Sequence, residues 1–290
     1  MRILFTIPHF FNNQTTAKHG SQSGNSQNRL NALTNNIAAI HQLFSKAQGM
    51  IDIAQLQLIP SNQNFSYDLD IIICTIADYH LIDKLPFPSH WYQHYVSNIE
   101  PMMLGFECQS ILRDNLGKYD YYCFLEDDLI LRDPLFFLKL NWFNQQVGDQ
   151  NLLQPNRYEA AIAPLVNKVY IDGNLRPDVA GRFQNIHDQP TLNGSFLGVN
   201  ISFERPLNPH SGAYFLNQKQ MEYWSQQTHF LDKNTDFVSP LESAATLGIM
   251  KTFKIYKPAP VNANFLEIQH FGVQFLSLVG NKVKRLGVGS

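Results

Sequence analysis

Three short runs of nearly unbroken apolar residues constrain the fold of this chain most. They are residues 2–7, residues 69–76 and Tyr121–Leu125, the second interrupted only by Asp70 and Thr75. A strand exposed on one face alternates apolar and polar residues. A strand that is apolar throughout is buried on both faces, which is the habit of parallel sheets. Helical periodicity separates the runs. Leu30, Leu33, Ile37, Ile40 and Phe44 recur at three- and four-residue steps. Ser97-Asn-Ile-Glu100 followed by Pro101 is a helix start, with Leu104, Cys108 and Ile111 on one face and Gly117 as the stop. Asp133-Pro134 opens a third helix, with Leu135, Leu138 and Trp142 on one side. Further strands are expected where Ile51, Ile53, Leu56 and Leu58 alternate, over residues 160–166 and over residues 253–256. Strand and helix alternate through the first half, so the chain is read as α/β, with a mostly parallel sheet and helices on both faces.

A chain of 290 residues buries roughly 75% of the surface that its unfolded form exposes, enough to fold without disulfides. No internal repeat or low-complexity linker divides it, and one domain over residues 1–290 is expected. The charge balance of 22 basic and 24 acidic residues, net -2, argues against a nucleic-acid partner. Cys74, Cys108 and Cys123 have neither metal-ligand nor redox spacing; they read as small buried hydrophobes in a reducing, cytoplasmic compartment. No stretch approaches the roughly 20 apolar residues of a membrane helix, and the apolar part of residues 1–11 is too short for a signal peptide. Glycosylation-like triplets at Asn13, Asn64, Asn193 and Asn200 are read as chance in an Asn-rich chain.

The third apolar run ends on Glu126-Asp127-Asp128. Ligands of open α/β sheets bind beyond the carboxyl ends of the strands. Two like charges about 4 Å apart repel by roughly 4 kcal/mol at an effective dielectric of 20, so three carboxylates at the rim of a buried strand call for a cation. A divalent metal with oxygen ligands answers that need. The other reading is a solvated acidic turn.

Phe124-Leu-Glu-Asp-Asp-Leu-Ile-Leu131 resembles the DXD signature of GT-A-fold glycosyltransferases, in a Glu-Asp-Asp form. The resemblance implies a single Rossmann-like GT-A domain, its nucleotide-binding half about residues 1–130 and its acceptor- and sugar-binding half about 131–290. It implies transfer of a hexosyl or N-acetylhexosaminyl unit from a nucleotide-sugar, expected to be UDP-linked, to a hydroxyl of a carbohydrate or glycoconjugate. Mn²⁺ or Mg²⁺ is the implied cofactor. Asp128 becomes the metal ligand, with Glu126 and Asp127 contacting ribose or metal-bound water. Pro8 and His9, after the first strand, fall where the family holds base and ribose; a loop histidine without a ligand is the alternative. Arg29 at the first helix, Asp78 after the second apolar run and Arg113 before the triplet are further nucleotide-binding candidates. His270 fits a late histidine reaching the metal, with Glu267 as its partner. Gly212 and Ala213 fall where small residues admit the donor sugar, and Asn193-Gly-Ser195 on the acceptor side.

If transfer inverts the anomeric carbon, a carboxylate takes the acceptor proton. Glu242 is the first choice and Asp236 the second. Ser239-Pro-Leu-Glu242 is also a capping-box pattern, which accounts for the glutamate without catalysis. Two other functions stay open. A nucleotidyltransferase usually carries a Gly-rich, Lys/Arg-bearing loop after the first strand, whereas the polar stretch 12–28 offers only Gly20, Gly24 and Lys18 before Arg29. A non-catalytic sugar- or metal-binding module shares the same layout. Lys282, Lys284 and Arg285 form a small basic tail, which leaves peripheral contact with an anionic membrane surface open.

Overall fold

The three apolar runs lie side by side in one sheet of the computed structural model, which describes residues 1–12, 25–162 and 165–284. In chain order the first half forms β1 (Arg2–Pro8), α1 (Ser26–Phe44), β2 (Gly49–Asp52), β3 (Gln57–Pro60), β4 (Asp68–Ile76), β5 (Gln93–Ser97), α2 (Leu104–Asp114) and β6 (Tyr121–Leu125). There follow β7 (Leu129–Ile130), α3 (Phe136–Val147), β8 (Asn151–Leu153), β9 (Asn156–Ala160), β10 (Lys168–Tyr170) and α4 (Pro177–Gly181). The last part forms β11 (Thr191–Phe196), β12 (Val199–Glu204), β13 (Ala213–Asn217), α5 (Gln218–Ser225), α6 (Pro240–Thr252), β14 (Lys254–Pro258) and β15 (Glu267–His270).

The central sheet has the order β13-β6-β1-β4-β5. All its pairings are parallel except that of β13, which runs antiparallel to β6. Alternation along the strands feeds two cores. Ile3, Phe5 and Ile7 face α1 (Leu33, Ile37, Ile40, Phe44) and α3 (Phe136, Phe137, Leu140, Phe143). Leu4, Cys74, Tyr122 and Phe124 face α2, α5 and α6 through Leu104, Cys108, Met221, Trp224 and Leu247. A slip of one residue in register would exchange the two sets, so each core fixes the strands against the other. The architecture is therefore mixed α/β with a mostly parallel sheet covered on both faces, as predicted.

Two smaller sheets flank the center, in the orders β10-β9-β15-β7 and β11-β12-β14-β8. The first matters for the site: antiparallel pairing of β15 with β7 sets His270 opposite Leu129.

Some expectations need correction. The alternating residues Ile51, Ile53, Leu56 and Leu58 do not make one strand. They divide between the β2–β3 hairpin and its turn, where Leu56 takes φ 53°, and all four are exposed. The buried face of α3 is Phe136, Phe137, Leu140 and Phe143, while Leu138 is exposed, because the helix opens after Leu135 and its aromatic residues take the core. The strand expected over residues 160–166 is β9, which ends at Ala160. Residues 163 and 164 lie outside the described residues, as do Asn13, Lys18, Gly20, Gly24 and Arg285. Cys74, Cys108 and Cys123 are free and buried. Among the described residues no helix is long and apolar enough to cross a membrane.

Candidate functional site

The triplet occupies the turn between β6 and β7, at the carboxyl end of the central sheet. The Glu126 amide donates to the Gly212 carbonyl (2.9 Å), and the Leu129 amide to the Glu126 carbonyl (3.1 Å). Asn36 pins the turn to α1: its side-chain amide donates to the carbonyls of Glu126 (3.1 Å) and Leu129 (2.7 Å). Asn36 is fully buried on the apolar face of that helix. Gly212 takes φ 61°, and a Cβ there would lie 2.5 Å from Glu126 Oε2, so glycine is required beneath that carboxylate.

The three acids have different surroundings. Both oxygens of Asp127 are engaged by the protein. The Leu81 amide donates to His9 Nε2 (3.1 Å), which makes Nδ1 the protonated nitrogen, and Nδ1–H donates to Asp127 Oδ2 (2.6 Å). Arg29 Nη2 donates to Asp127 Oδ1. His9 is completely buried behind Asp127, so it orients that carboxylate and offers no face for a base to stack on.

Asp128 receives Arg29 Nη1 on Oδ2 (3.3 Å), whereas its Oδ1 is buried with no hydrogen-bond partner among the described residues. Burial works against its ionisation, yet the charges of Arg29 and Arg157 hold its pKa below the usual value. Arg29 in turn loses to burial less than it gains from Asp127, Asp128 and Glu126, and its pKa is raised. Glu126 differs most. Burial first, then repulsion from Asp128 and Glu242, push its pKa from 4.5 to about 8 against the pull of Arg157.

His270 stands where β15 meets β7, its Nε2 3.8 Å from Asp128 Oδ2. Its Nδ1–H donates to Glu159 Oε1 (2.9 Å), and Glu159 Oε2 accepts from the Leu276 amide (2.7 Å). That carboxylate fixes the tautomer and turns the Nε2 lone pair toward the triplet. The expected partner, Glu267, is elsewhere: it binds Lys168 Nζ (2.6 Å) and Tyr170 (2.7 Å). Residues 267 and 270 of a strand are an odd number of positions apart and point to opposite faces.

A cavity of about 470 Å³ opens over these groups, lined by Pro8, Phe10, Arg29, the triplet, Arg157, His210, Glu242 and His270 among others. Its size suits a small-molecule ligand. Glu242 sits in the first turn of α6, where the Ser239 hydroxyl donates to its Oε2. The capping box is not formed, because the Ser239 side chain bonds no helix amide and donates to the Glu242 carboxylate instead. A strut behind the cavity was not foreseen. Arg157 Nε donates to Asp172 Oδ1 (2.8 Å), and Lys257 Nζ donates to Asp172 Oδ2 (2.8 Å) and to the His210 carbonyl (2.6 Å).

Several expected residues are not brought to this cavity. Asp78 is exposed in the turn after β4 and does not line it. Arg113 sits in the last turn of α2, paired with Asp114 (2.8 Å), whereas it is the opposite end of that helix, Leu104 and Gly105, that reaches the cavity. Asp236 is exposed, and its backbone carbonyl, not its carboxylate, is engaged, by Arg182. Ala213 is fully buried in β13, and Gly212 acts as the floor under Glu126, so neither opens toward a sugar.

Among the described residues no group of three or more His, Cys, Asp and Glu side chains forms a metal cage. The residues present fit a divalent cation in a narrower way. The orphaned Asp128 Oδ1 and the His270 Nε2 lone pair supply two donors, and oxygens of a ligand and of water would complete the shell.

No protein-family model matches the chain, and no curated protein matches it. Among solved structures it is similar to the crystal structure of mouse xyloside xylosyltransferase 1 in its apo form, with a TM-score of 0.36 and 10% identity over 88% of this chain and 80% of that one. A likeness of that size says nothing about reaction or substrate.

Proposed function

We propose that the protein is a glycosyltransferase that moves a sugar from a nucleoside-diphosphate sugar, UDP-linked by preference, to an acceptor hydroxyl. The observation that carries the reading is Asp128 at the end of β6, with one buried oxygen unpartnered and the Nε2 of His270 3.8 Å from the other. Asp128 and His270 are the residues that would hold Mn²⁺ or Mg²⁺. A divalent cation bound there supplies Lewis-acid stabilisation of the departing diphosphate. Arg29, in the first turn of α1, offers the same leaving group a guanidinium and the positive end of a helix. Asp127 does not contact the nucleotide in this reading; it fixes Arg29 against His9.

Glu242 is the proposed base for an inverting displacement. It lines the cavity and carries its own hydrogen bond from Ser239, which holds the carboxylate in one orientation. The acceptor hydroxyl attacks the anomeric carbon, Glu242 takes its proton, and the bond to the diphosphate breaks. Proton uptake of this kind contributes about 10²–10⁴ in rate.

The test is nucleotide release from a panel of UDP-, GDP- and CMP-sugars, with and without Mn²⁺. Release that requires the metal and is lost in Asp128→Ala supports sugar transfer. Binding of a nucleotide-sugar without release from any donor would make the protein a binding module instead.

A further inference from the structure

Arg157 presents an arginine edge that the protein itself leaves unfilled. It extends from β9, 13% exposed, and lines the cavity. Its inner side is fully used: Nε donates to Asp172 Oδ1 (2.8 Å) and its own backbone amide to Asp172 Oδ2 (3.1 Å). Asp172 bonds neither outer nitrogen; its Oδ2 also receives Lys257 Nζ at 2.8 Å. The strut thus holds two cations and one carboxylate, all at most 13% exposed. Beyond Asp172, the carboxylates whose charge acts on Arg157 are Glu126 and Asp128, and among the described residues neither hydrogen-bonds its Nη groups. The nearest carboxylate on the cavity side is Glu126, whose Oε2 lies 4.0 Å from Arg157 Nη1, beyond hydrogen-bond reach. Among the described residues neither Nη has a hydrogen-bond partner. Arg157 is separate from the diphosphate candidate, Arg29, which faces Asp127 and Asp128 while Arg157 faces Glu126 and is backed by the strut that reaches His210.

A cavity-lining guanidinium whose Nε is held by Asp172 and whose two Nη groups bond no described residue is a fork matched to two anionic oxygens in a plane. We propose that the Nη edge of Arg157 receives a carboxylate carried by the sugar substrate, so that the site takes acidic sugars in preference to their neutral counterparts. The word sugar rests on the glycosyltransferase reading; the anion site rests on the strut alone.

The experiment compares sugars that differ only in that group. Binding of glucuronate against glucose, galacturonate against galactose, and N-acetylneuraminate is measured by saturation-transfer NMR, with and without UDP and Mn²⁺. At least one acid should bind about tenfold more tightly than its neutral counterpart, a difference of about 1.4 kcal/mol. Arg157→Gln should remove that preference, and Arg157→Lys, which keeps the charge without the fork, should lose most of it. Absence of any preference in the wild-type protein overturns the proposal, as does a preference that survives in Arg157→Gln. So does an equal loss of UDP affinity in that variant, which would assign the edge to the diphosphate. Preference for an acid without binding of any nucleotide would sink the nucleotide-sugar reading and leave the anion site standing. If Arg157→Gln fails to fold, the Arg157→Lys and wild-type comparisons still decide.

Discussion

Replacing Arg29 by methionine tests how the acidic turn is stabilised before any ligand arrives. The guanidinium touches Asp127, 2% exposed, and Asp128, 23% exposed, and is itself 13% exposed. At an effective dielectric of 20 and the 3.3 Å separation from Asp128, one such pair attracts by about 5 kcal/mol, from which the desolvation of Arg29 must be subtracted. Removing one partner of a buried pair usually costs about 3–5 kcal/mol, because the other charge is left unpaired. For a chain of this size that corresponds to a fall in melting temperature of about 6–10 °C. A double-mutant cycle with Asp127→Asn, which still accepts from His9, isolates the pair and should give a coupling of about 2–3 kcal/mol by urea denaturation. The acid limb should move as well. The folded Asp128 pKa is depressed, so its contribution is present above the ordinary carboxylate range and lost as pH falls. Without Arg29 the folded pKa rises toward its unfolded value, so this part of the acid-induced loss should shrink. A coupling below about 0.5 kcal/mol with an unmoved acid limb would refute the claim that Arg29 holds the turn together.

Glu126 gives the opposite pH dependence: its folded pKa is raised from 4.5 to about 8, so its ionisation destabilises the native state as pH climbs through that interval. Glu126→Gln should gain stability over the wild-type protein between about pH 4.5 and 8 and show a constant difference below it, measured by denaturation across pH. Gly212→Ala places a Cβ 2.5 Å from Glu126 Oε2 at φ 61°. Left-handed strain and overpacking together should cost about 2–4 kcal/mol by urea denaturation. Glu242→Gln keeps an acceptor for the Ser239 hydroxyl and should melt within about 1 °C of the wild-type protein. Its turnover should fall by about 10²–10⁴ with nucleotide affinity unchanged; unaltered turnover would remove Glu242 as the base.

The central sheet was legible because runs buried on both faces carry their own signature. The contrast between Ile3, Phe5 and Ile7 on one side and Leu4 on the other needs no partner to be known. The places of the triplet, Arg29 and Glu242 along the cavity were legible for a related reason: each follows a strand end or a helix start that local pattern reveals, whereas His270 came only from the family resemblance. Asn36 also had a signal that went unused, as a polar residue within the apolar period of α1. Arg157, Asp172 and Lys257 had none. They come from three segments, with Lys257 85 positions from Asp172, and only the pairing of the flanking sheets joins them. The misplaced candidates share one cause. Arg113 and Asp78 were assigned by order along the chain, which does not say which end of α2 or which side of a turn meets the cavity.

Thermal stabilisation by UDP, GDP and CDP, each with and without Mn²⁺, bears most directly on the proposal that Asp128 and His270 share a metal with a diphosphate. A diphosphate at 100 times its Kd should stabilise the protein by about 2.7 kcal/mol, or about 5 °C, for at least one of the three. The shift should require Mn²⁺ and vanish in Asp128→Ala. A shift of the same size without Mn²⁺, or one that persists in Asp128→Ala, would contradict the metal and diphosphate assignment.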